Sequence, residues 1–408
     1  MKKNKSLVGI SLLFALLVMG CAKSKDVTYW ENAPVVAERS GELITLDPAL
    51  LKDTIVFPLS FFAEELQIVK LDDREDAFVY PSAVLLSDNY ILVQSGRNNN
   101  LSFEEWQASV PMPCRLFDKT GKYITDIGSI GQGPGEYNDI YAMQIDEAAD
   151  RIYLLPWQSD KLLVYSLKGE VLEPIRLPYR ANKGVFRVEG DRVTMAVLPF
   201  PQIPSVAWTQ TLDGKVLNEI PVTEALAMEF DFSNEISSYQ HAERMDLSFW
   251  YWPTRIDTLY HIDADQGQLI PRFTVKFKEN KLEPHSYAEW PNYYAGNTST
   301  IVTISDGNSL RQEGEKPAYY IVDKETLRGA FFRVVNDYMG GEDMDWPFML
   351  FEKGYYARNM DPGNLEEWLE KALKSKTMSD AVRERLTTLR QSIGPDDNNY
   401  VVYARMKR

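Results

Sequence analysis

The side chains with chemical reach are few, and their spacing excludes the commonest active sites. Three histidines occur in 408 residues: His241, His261 and His285. None stands in a His-Glu-x-x-His pair. Cys-x-x-Cys and Asp-x-Asp-x-Asp-Gly are also missing, so no zinc or calcium site is written into the chain. Without Gly-x-Ser-x-Gly there is no hydrolase nucleophile elbow. The acid pairs Glu104-Glu105 and Asp396-Asp397 are sequence neighbours rather than groups facing across a cleft, and they read as solvated. Cys114 lies in a strand-like run with no histidine near it in sequence, which describes a buried, inert thiol. No catalytic residue, metal ligand or cofactor is expected. His241, beside Glu243 and Arg244 in an irregular segment, is either an ordinary loop histidine, the default, or a group at the mouth of a channel. His261 lies in a strand, and we expect it to be packed or hydrogen-bonded.

Aromatic rings offer a better lead. Trp250, Tyr251, Trp252, Trp290, Tyr293 and Tyr294 fall in or beside connections. An amphipathic ring suits both the apolar face and the hydroxyls of a sugar. Trp250, Tyr251, Trp252 and Trp290, with His241, are therefore the candidate ligand-binding residues, for a glycan or a peptide. The competing and more ordinary use of such rings is to wedge between packed sheets.

The elements that must position these groups are strands. Cys114–Phe117 and Lys122–Ile127 flank Asp118-Lys119-Thr120-Gly121, a hairpin signal in which Asp and Gly tolerate the turn. The pattern returns around Gly169 and Gly214, at intervals of 48 and 45 residues. Each hairpin is preceded by another short strand, at Ala83–Leu86, Arg151–Leu155 and Arg192–Val197. Several strands per repeat of about 40–50 residues mark a β-propeller blade. Blades one to three are expected at about 78–127, 137–177 and 185–220, with an insertion in blade one at 95–113. Blade four should hold Thr258–Ile262 and Phe273–Phe277. Blade five should hold Thr300–Ser305 and Ala318–Val322. Phe331–Val335, Phe348–Phe351 and Tyr355–Ala357 are left for blade six. Leu365, Trp368, Leu369, Ala372 and Leu373 follow helical spacing, and Asn364 with Glu367 reads as a capping box. A second helix is expected through Val382, Leu386 and Leu389. Tyr400–Ala404 is a last strand, expected to pair near the first and close the ring.

Between the first two repeats, Gly128 to Gly135 packs four glycines and one proline into eight residues. A P-loop would need Lys-Ser or Lys-Thr and then a helix. Glu136-Tyr137 and strand-like residues follow instead, so the segment reads as an inter-blade connection.

Gly131-Gln132-Gly133-Pro134-Gly135-Glu136-Tyr137, with Ile145-Asp146-Glu147 and Arg151-Ile152-Tyr153, resembles the six-bladed β-propeller lipoproteins of Bacteroidetes, whose blades are similar to NHL repeats. Ile256–Tyr260 and Asp397–Val402 extend the resemblance over most of the chain. Asn399-Tyr400 departs from the Asn-Pro expected there. The resemblance implies an all-β, six-bladed β-propeller, here with a short C-terminal helical insertion at about 364–393, and an envelope address. It carries over no reaction.

The N-terminus fits that address. Lys2, Lys3 and Lys5 precede thirteen mostly apolar residues, Leu7 to Met19. A membrane span needs about twenty. Gly20 and Cys21 then end the run, as in a lipoprotein signal peptide of residues 1–20 whose Cys21 is acylated. Residues 21–42 are polar and read as a flexible tether, and 43–408 as the propeller. Loss of three lysines takes the net charge from −15 to −18 (−15 − 3). With no basic patch, nucleic acid is excluded as a partner. The expected partners are the outer membrane, through the lipid, and a glycan, peptide or envelope protein. The expected function is non-enzymatic binding at the channel mouth or long loops. The rivals are a lyase or hydrolase at the channel and a scaffold docking through its helices.

Overall fold

The computed structural model describes residues 29–97, 101–229, 233–250, 257–276, 285–298, 301–305, 310–314, 318–344 and 351–407. It is a six-bladed β-propeller. Blade 1 comprises Val84–Leu86, Tyr90–Val93, Cys114–Asp118 and Tyr123–Ile127, blade 2 runs from Ile140–Asp146 to Val171–Ala181, and blade 3 from Gly184–Glu189 to Val216–Pro221. Each is a four-stranded antiparallel meander. The hairpin glycines Gly121, Gly169 and Gly214 all take the left-handed backbone their turns require, at φ of +89°, +83° and +89°.

Blade 4 holds Glu235–Ser237, Asp246–Trp250, Thr258–Asp263 and Gln268–Val275. Blade 5 holds His285–Glu289, Tyr293–Thr298, Ala318–Asp323 and Gly329–Asn336. Two expected assignments change here. Ile301–Ser305 pairs with Leu310–Gly314 as a separate hairpin inserted in blade 5. Phe331–Val335 is the outer strand of blade 5, paired with Ala318–Asp323, and not part of blade 6. Phe348 lies outside the described residues. Blade 6 contains Phe351–Glu352, Tyr355–Met360 and Tyr400–Arg405, and its outer strand is Gln67–Lys70 from the other end of the chain. The last strand thus closes the ring on an N-terminal one, as expected.

Residues 29–42 correct the expected tether. Ala37–Ser40 and Leu43–Leu46 form a hairpin whose second strand lies parallel against Phe273–Val275 of blade 4. Thr54–Pro58 then lies parallel against blade 5, and Gln67–Lys70 enters blade 6. The N-terminal chain is a belt that covers three successive sheet edges, each of which would otherwise present unpaired backbone groups. Tyr29 and Trp30 pack on Phe57, with ring centroids 4.8 and 5.7 Å apart.

The core lies between blade faces. Leu155, Leu162 and Ile175 of blade 2 meet Phe186, Met195 and Trp208 of blade 3. Fully burying a side chain of this size contributes about 1.5–3 kcal/mol. The helices Pro362–Leu373 and Asp380–Ser392 pack Leu365, Leu369 and Leu386 onto Phe62 and Met339. The first helix starts one turn earlier than the expected capping box. Asp361 caps it by accepting from the Asn364 N–H at 2.9 Å, with Pro362 at the first position, where no N–H is needed. No described helix is long and apolar enough to cross a membrane.

Candidate functional site in the central channel

Two cavities meet on the propeller axis. The first, about 380 Å³, is lined by the leading ends of the inner strands, among them Leu85, Tyr141 and Phe186, and by Glu235–Gln240 and Glu352. The second, about 560 Å³, lies at the trailing ends and following turns and includes Asp146, Arg187 and Arg405. Leu85, Gln240 and Lys353 line both, and so form the partition between them.

That partition is built from crossbars. The Gln240 side-chain amide donates to the Phe186 carbonyl of blade 3 at 3.1 Å. The Lys353 ammonium donates to the Met143 carbonyl of blade 2 at 2.6 Å. Both residues sit in the left-handed backbone region, with φ of +54° and +48°. For a residue with a Cβ this costs roughly 1–2 kcal/mol, so the surrounding fold must impose it. The imposing contacts are visible. Asp246 accepts from the Tyr239 and Gln240 N–H groups at 2.9 and 2.7 Å, and Tyr239 in turn accepts from the Lys353 N–H at 2.8 Å.

His241 completes this junction. Its Nδ1 accepts from the Gly354 N–H at 3.3 Å, while Nε2 lies 3.0 Å from the Phe351 carbonyl. An acceptor at Nδ1 and a carbonyl at Nε2 require the neutral ring with its proton on Nε2. Burial, set against the attraction of Asp246, holds the His241 pKa below the ordinary histidine value. His241 lines neither cavity: its ring nitrogens are both used by backbone, joining the segment between two blade-4 strands to blade 6.

The acids lining the first cavity, Glu235 and Glu352, and Asp246 buried behind it differ in what holds them. Glu235 accepts from Tyr141 at 2.6 Å and pairs with Lys183. Asp246 is filled by Ser238 and the two N–H groups above. Glu352 lines the cavity with no side-chain hydrogen bond or ion pair among the described residues, although it is open to the channel solvent. Enclosure by the surrounding walls raises its pKa; Lys353 opposes that shift and Asp246 adds to it. Burial likewise lowers the Lys353 pKa against the pull of Glu352.

The other candidates separate. Trp290 is 1 % exposed and wedged among Phe62, Phe332 and Phe351, so it fills the space between blades and is closed to any ligand. Trp250 is half-buried at the end of a blade-4 strand. Tyr251 and Trp252, like Cys21, lie outside the described residues. His261 is buried and bonds Glu289, whose other oxygen accepts from Lys324 at 2.6 Å. Cys114 is fully buried, and burial pushes its thiol up to about 11 against a hydrogen bond from the Ser95 N–H. Glu105 caps its own short helix by accepting from Ser102, Asp396 is exposed, and Asp397 is held by Lys70 and Tyr400. No group of three or more His, Cys, Asp or Glu converges on one point among the described residues.

The glycine-rich connection does cradle an anion, but one of its own. Gly133 donates its N–H to the Glu136 carboxylate at 2.7 Å. A Cβ on Gly131 would lie 2.1 Å from the same group. The Tyr137 hydroxyl accepts from the Cys114 N–H at 2.7 Å and donates to the Ile127 carbonyl at 2.5 Å, while Tyr165 of blade 2 donates to the Gly135 carbonyl. Gly135, at φ of +72°, lies against Val171, and Pro134 precedes it. The segment locks blade 1 to blade 2.

Comparison with known proteins fits this architecture. A structure from Bacteroides fragilis NCTC 9343, described as an exported protein, superposes with a TM-score of 0.53 at 14 % identity, covering 87 % of this chain and all of that one. A member of the duf4221 family from Bacteroides vulgatus ATCC 8482 gives 0.40 at 11 % identity, covering 85 % of this chain and 97 % of that one. No curated protein sequence matches. The family model named Domain of unknown function (DUF4934) matches residues 42–405, from the belt to the closing strand, and the chain belongs to that family.

Proposed function

We propose that this chain is a lipid-anchored envelope propeller that binds, without catalysing a reaction, a partner's small polar group in the first channel cavity. One observation carries the reading. Strained crossbars floor a polar cup in which one acid, Glu352, is left unengaged. Strain of this kind is retained where a site needs its geometry fixed in advance. A cup of about 380 Å³ lies at the small end of ligand sites and admits one sugar unit or one peptide side chain. The partner class is thus a glycan, a peptide, or an envelope protein presenting such a group. The rival reading, a lyase or hydrolase at the channel, is weaker because Glu235, Asp246 and His241 are already committed to protein partners. Glycan and peptide arrays test the reading. Ala83→Trp, at the exposed lip of the cup, is expected to abolish the hits that the unaltered chain gives. Arrays without hits, or hits that survive this substitution, would count against the channel as the site.

The envelope address rests on the N-terminal pattern ending in Cys21, on the likeness to lipoprotein propellers with NHL-like blades, and on the exported fold relative. Tyr29 is already docked, so only seven residues (22–28), or eight Cα steps (29 − 21), separate Cys21 from the propeller, at most about 29 Å. Such a tether keeps the ring close to the bilayer. Cys21→Ala is expected to move the protein from the membrane fraction to the soluble one; unchanged fractionation would refute the anchor.

A further inference from the structure

We infer that the ligand of the first cavity carries a protonated amine, seated on Glu352; this rests on the channel being the binding site. The argument is one of elimination among charges. Glu235 has its oxygens occupied by Tyr141 and Lys183, and Asp246 accepts from three donors. Lys353, the cation next to Glu352 in sequence, is committed to the Met143 carbonyl across the channel. Glu352 alone presents a carboxylate to the cavity without a partner among the described residues. An exposed carboxylate without a protein partner is satisfied by water, and an ammonium replaces that water with a charge-assisted hydrogen bond that a neutral or anionic ligand cannot supply. Tyr141 and Tyr239 line the same space, and aromatic rings beside an acid suit an ammonium. Ser237 and Gln94 offer hydrogen-bonding groups at the wall for neighbouring hydroxyls. The ligand class is therefore a small amine bearing hydroxyls, of which an amino sugar is the size that fits.

Paired probes differing in one group test this by calorimetric titration of the full chain at pH 7: glucosamine against glucose, and ethanolamine against ethylene glycol. The amine of at least one pair is expected to bind at least about tenfold tighter than its neutral partner, a difference of about 1.4 kcal/mol. Glu352→Gln should erase that preference and Glu352→Asp should retain much of it. Neither substitution removes a hydrogen bond, so both variants should melt with the unaltered chain. The preference should also fade as acid protonates Glu352, because the neutral carboxyl no longer attracts an ammonium. Equal binding within both pairs, no binding of either amine, or a preference that persists in Glu352→Gln overturns the inference. A neutral sugar that binds the unaltered chain and Glu352→Gln alike, but not Ala83→Trp, would sink the amine and leave the channel standing as the site.

Discussion

Replacing Glu289 by leucine is expected to destabilise the protein by about 3–5 kcal/mol, the usual cost of stranding one member of a buried ion pair. Glu289 is 4 % exposed at the end of the inner strand of blade 5. His261 of blade 4 bonds one of its oxygens, and Lys324 donates to the other at 2.6 Å. Lys324 also donates to the Trp290 carbonyl at 2.7 Å and lies 4.9 Å from the centre of the Tyr294 ring. Without the carboxylate, the ammonium keeps its carbonyl contact but loses its counter-charge in a poorly solvated place. The double variant Glu289→Leu with Lys324→Met removes both charges, and should unfold at higher urea concentration than Glu289→Leu alone. If the single variant stays within about 1 kcal/mol of the unaltered chain, the triad is not what holds blades 4 and 5 together.

Acid provides an independent reading of the same group. Burial on its own would raise the Glu289 pKa, but His261 and Lys324 outweigh it and hold the value at about 2. The unfolded chain has an ordinary carboxyl, near 4.3. Above that value both states are ionised and the stabilisation is complete. Between it and about 2, the unfolded chain gains a proton that the native protein refuses, so the contribution drains away as pH falls. The gap in stability between the unaltered chain and Glu289→Leu should therefore narrow as pH falls through that window.

Regular alternation made the first three blades legible, because each hairpin turn needs a glycine where its backbone turns left-handed, and Gly121, Gly169 and Gly214 mark the spacing. The later blades are less regular for identifiable reasons. Ile301–Ser305 has the composition of a blade strand, yet it pairs only with Leu310–Gly314. Phe331–Val335 takes its second neighbour from Thr54–Pro58, more than two hundred residues earlier, and no local pattern signals that pairing. Ala37–Ser40 looked like a tether because its exposed, polar face is what an edge strand shows to water.

The channel was harder to read. Its floor depends on Gln240 and Lys353, neither of which is a residue type that announces a positive φ. Glu352 occupies a two-residue strand, too short for alternation to show which way it points. His261, Glu289 and Lys324 are separated by 28 and 35 residues, and only the packing of blade 4 on blade 5 brings them together. Trp290 illustrates the reverse: a ring beside Pro291 suggests an exposed loop, whereas the belt residue Phe62 covers it.

Asn398→Ala is expected to cost about 3–4 kcal/mol, because the side chain bonds four backbone groups and each such bond contributes about 1 kcal/mol net. Asn398 is 1 % exposed just before the closing strand. Its amide donates to the Asp72 and Ala77 carbonyls, both at 2.8 Å, and its oxygen accepts from the Val79 and Asn399 N–H groups at 3.0 and 2.8 Å. The segment it grips leads from the outer strand of blade 6 to the inner strand of blade 1. Asn398 therefore ties the C-terminal end of the ring to the N-terminal strand that seals it. The neighbouring Asp396 is exposed, and Asp396→Ala should change stability by no more than about 0.5 kcal/mol. Urea unfolding of the two variants separates a clamp from a merely acidic turn. Limited proteolysis adds location, since Asn398→Ala should open cleavage between Lys70 and Val84 first. Equal midpoints for the two variants, or first cleavage elsewhere, would mean that the paired strands Gln67–Lys70 and Tyr400–Arg405 hold the ring shut without this side chain.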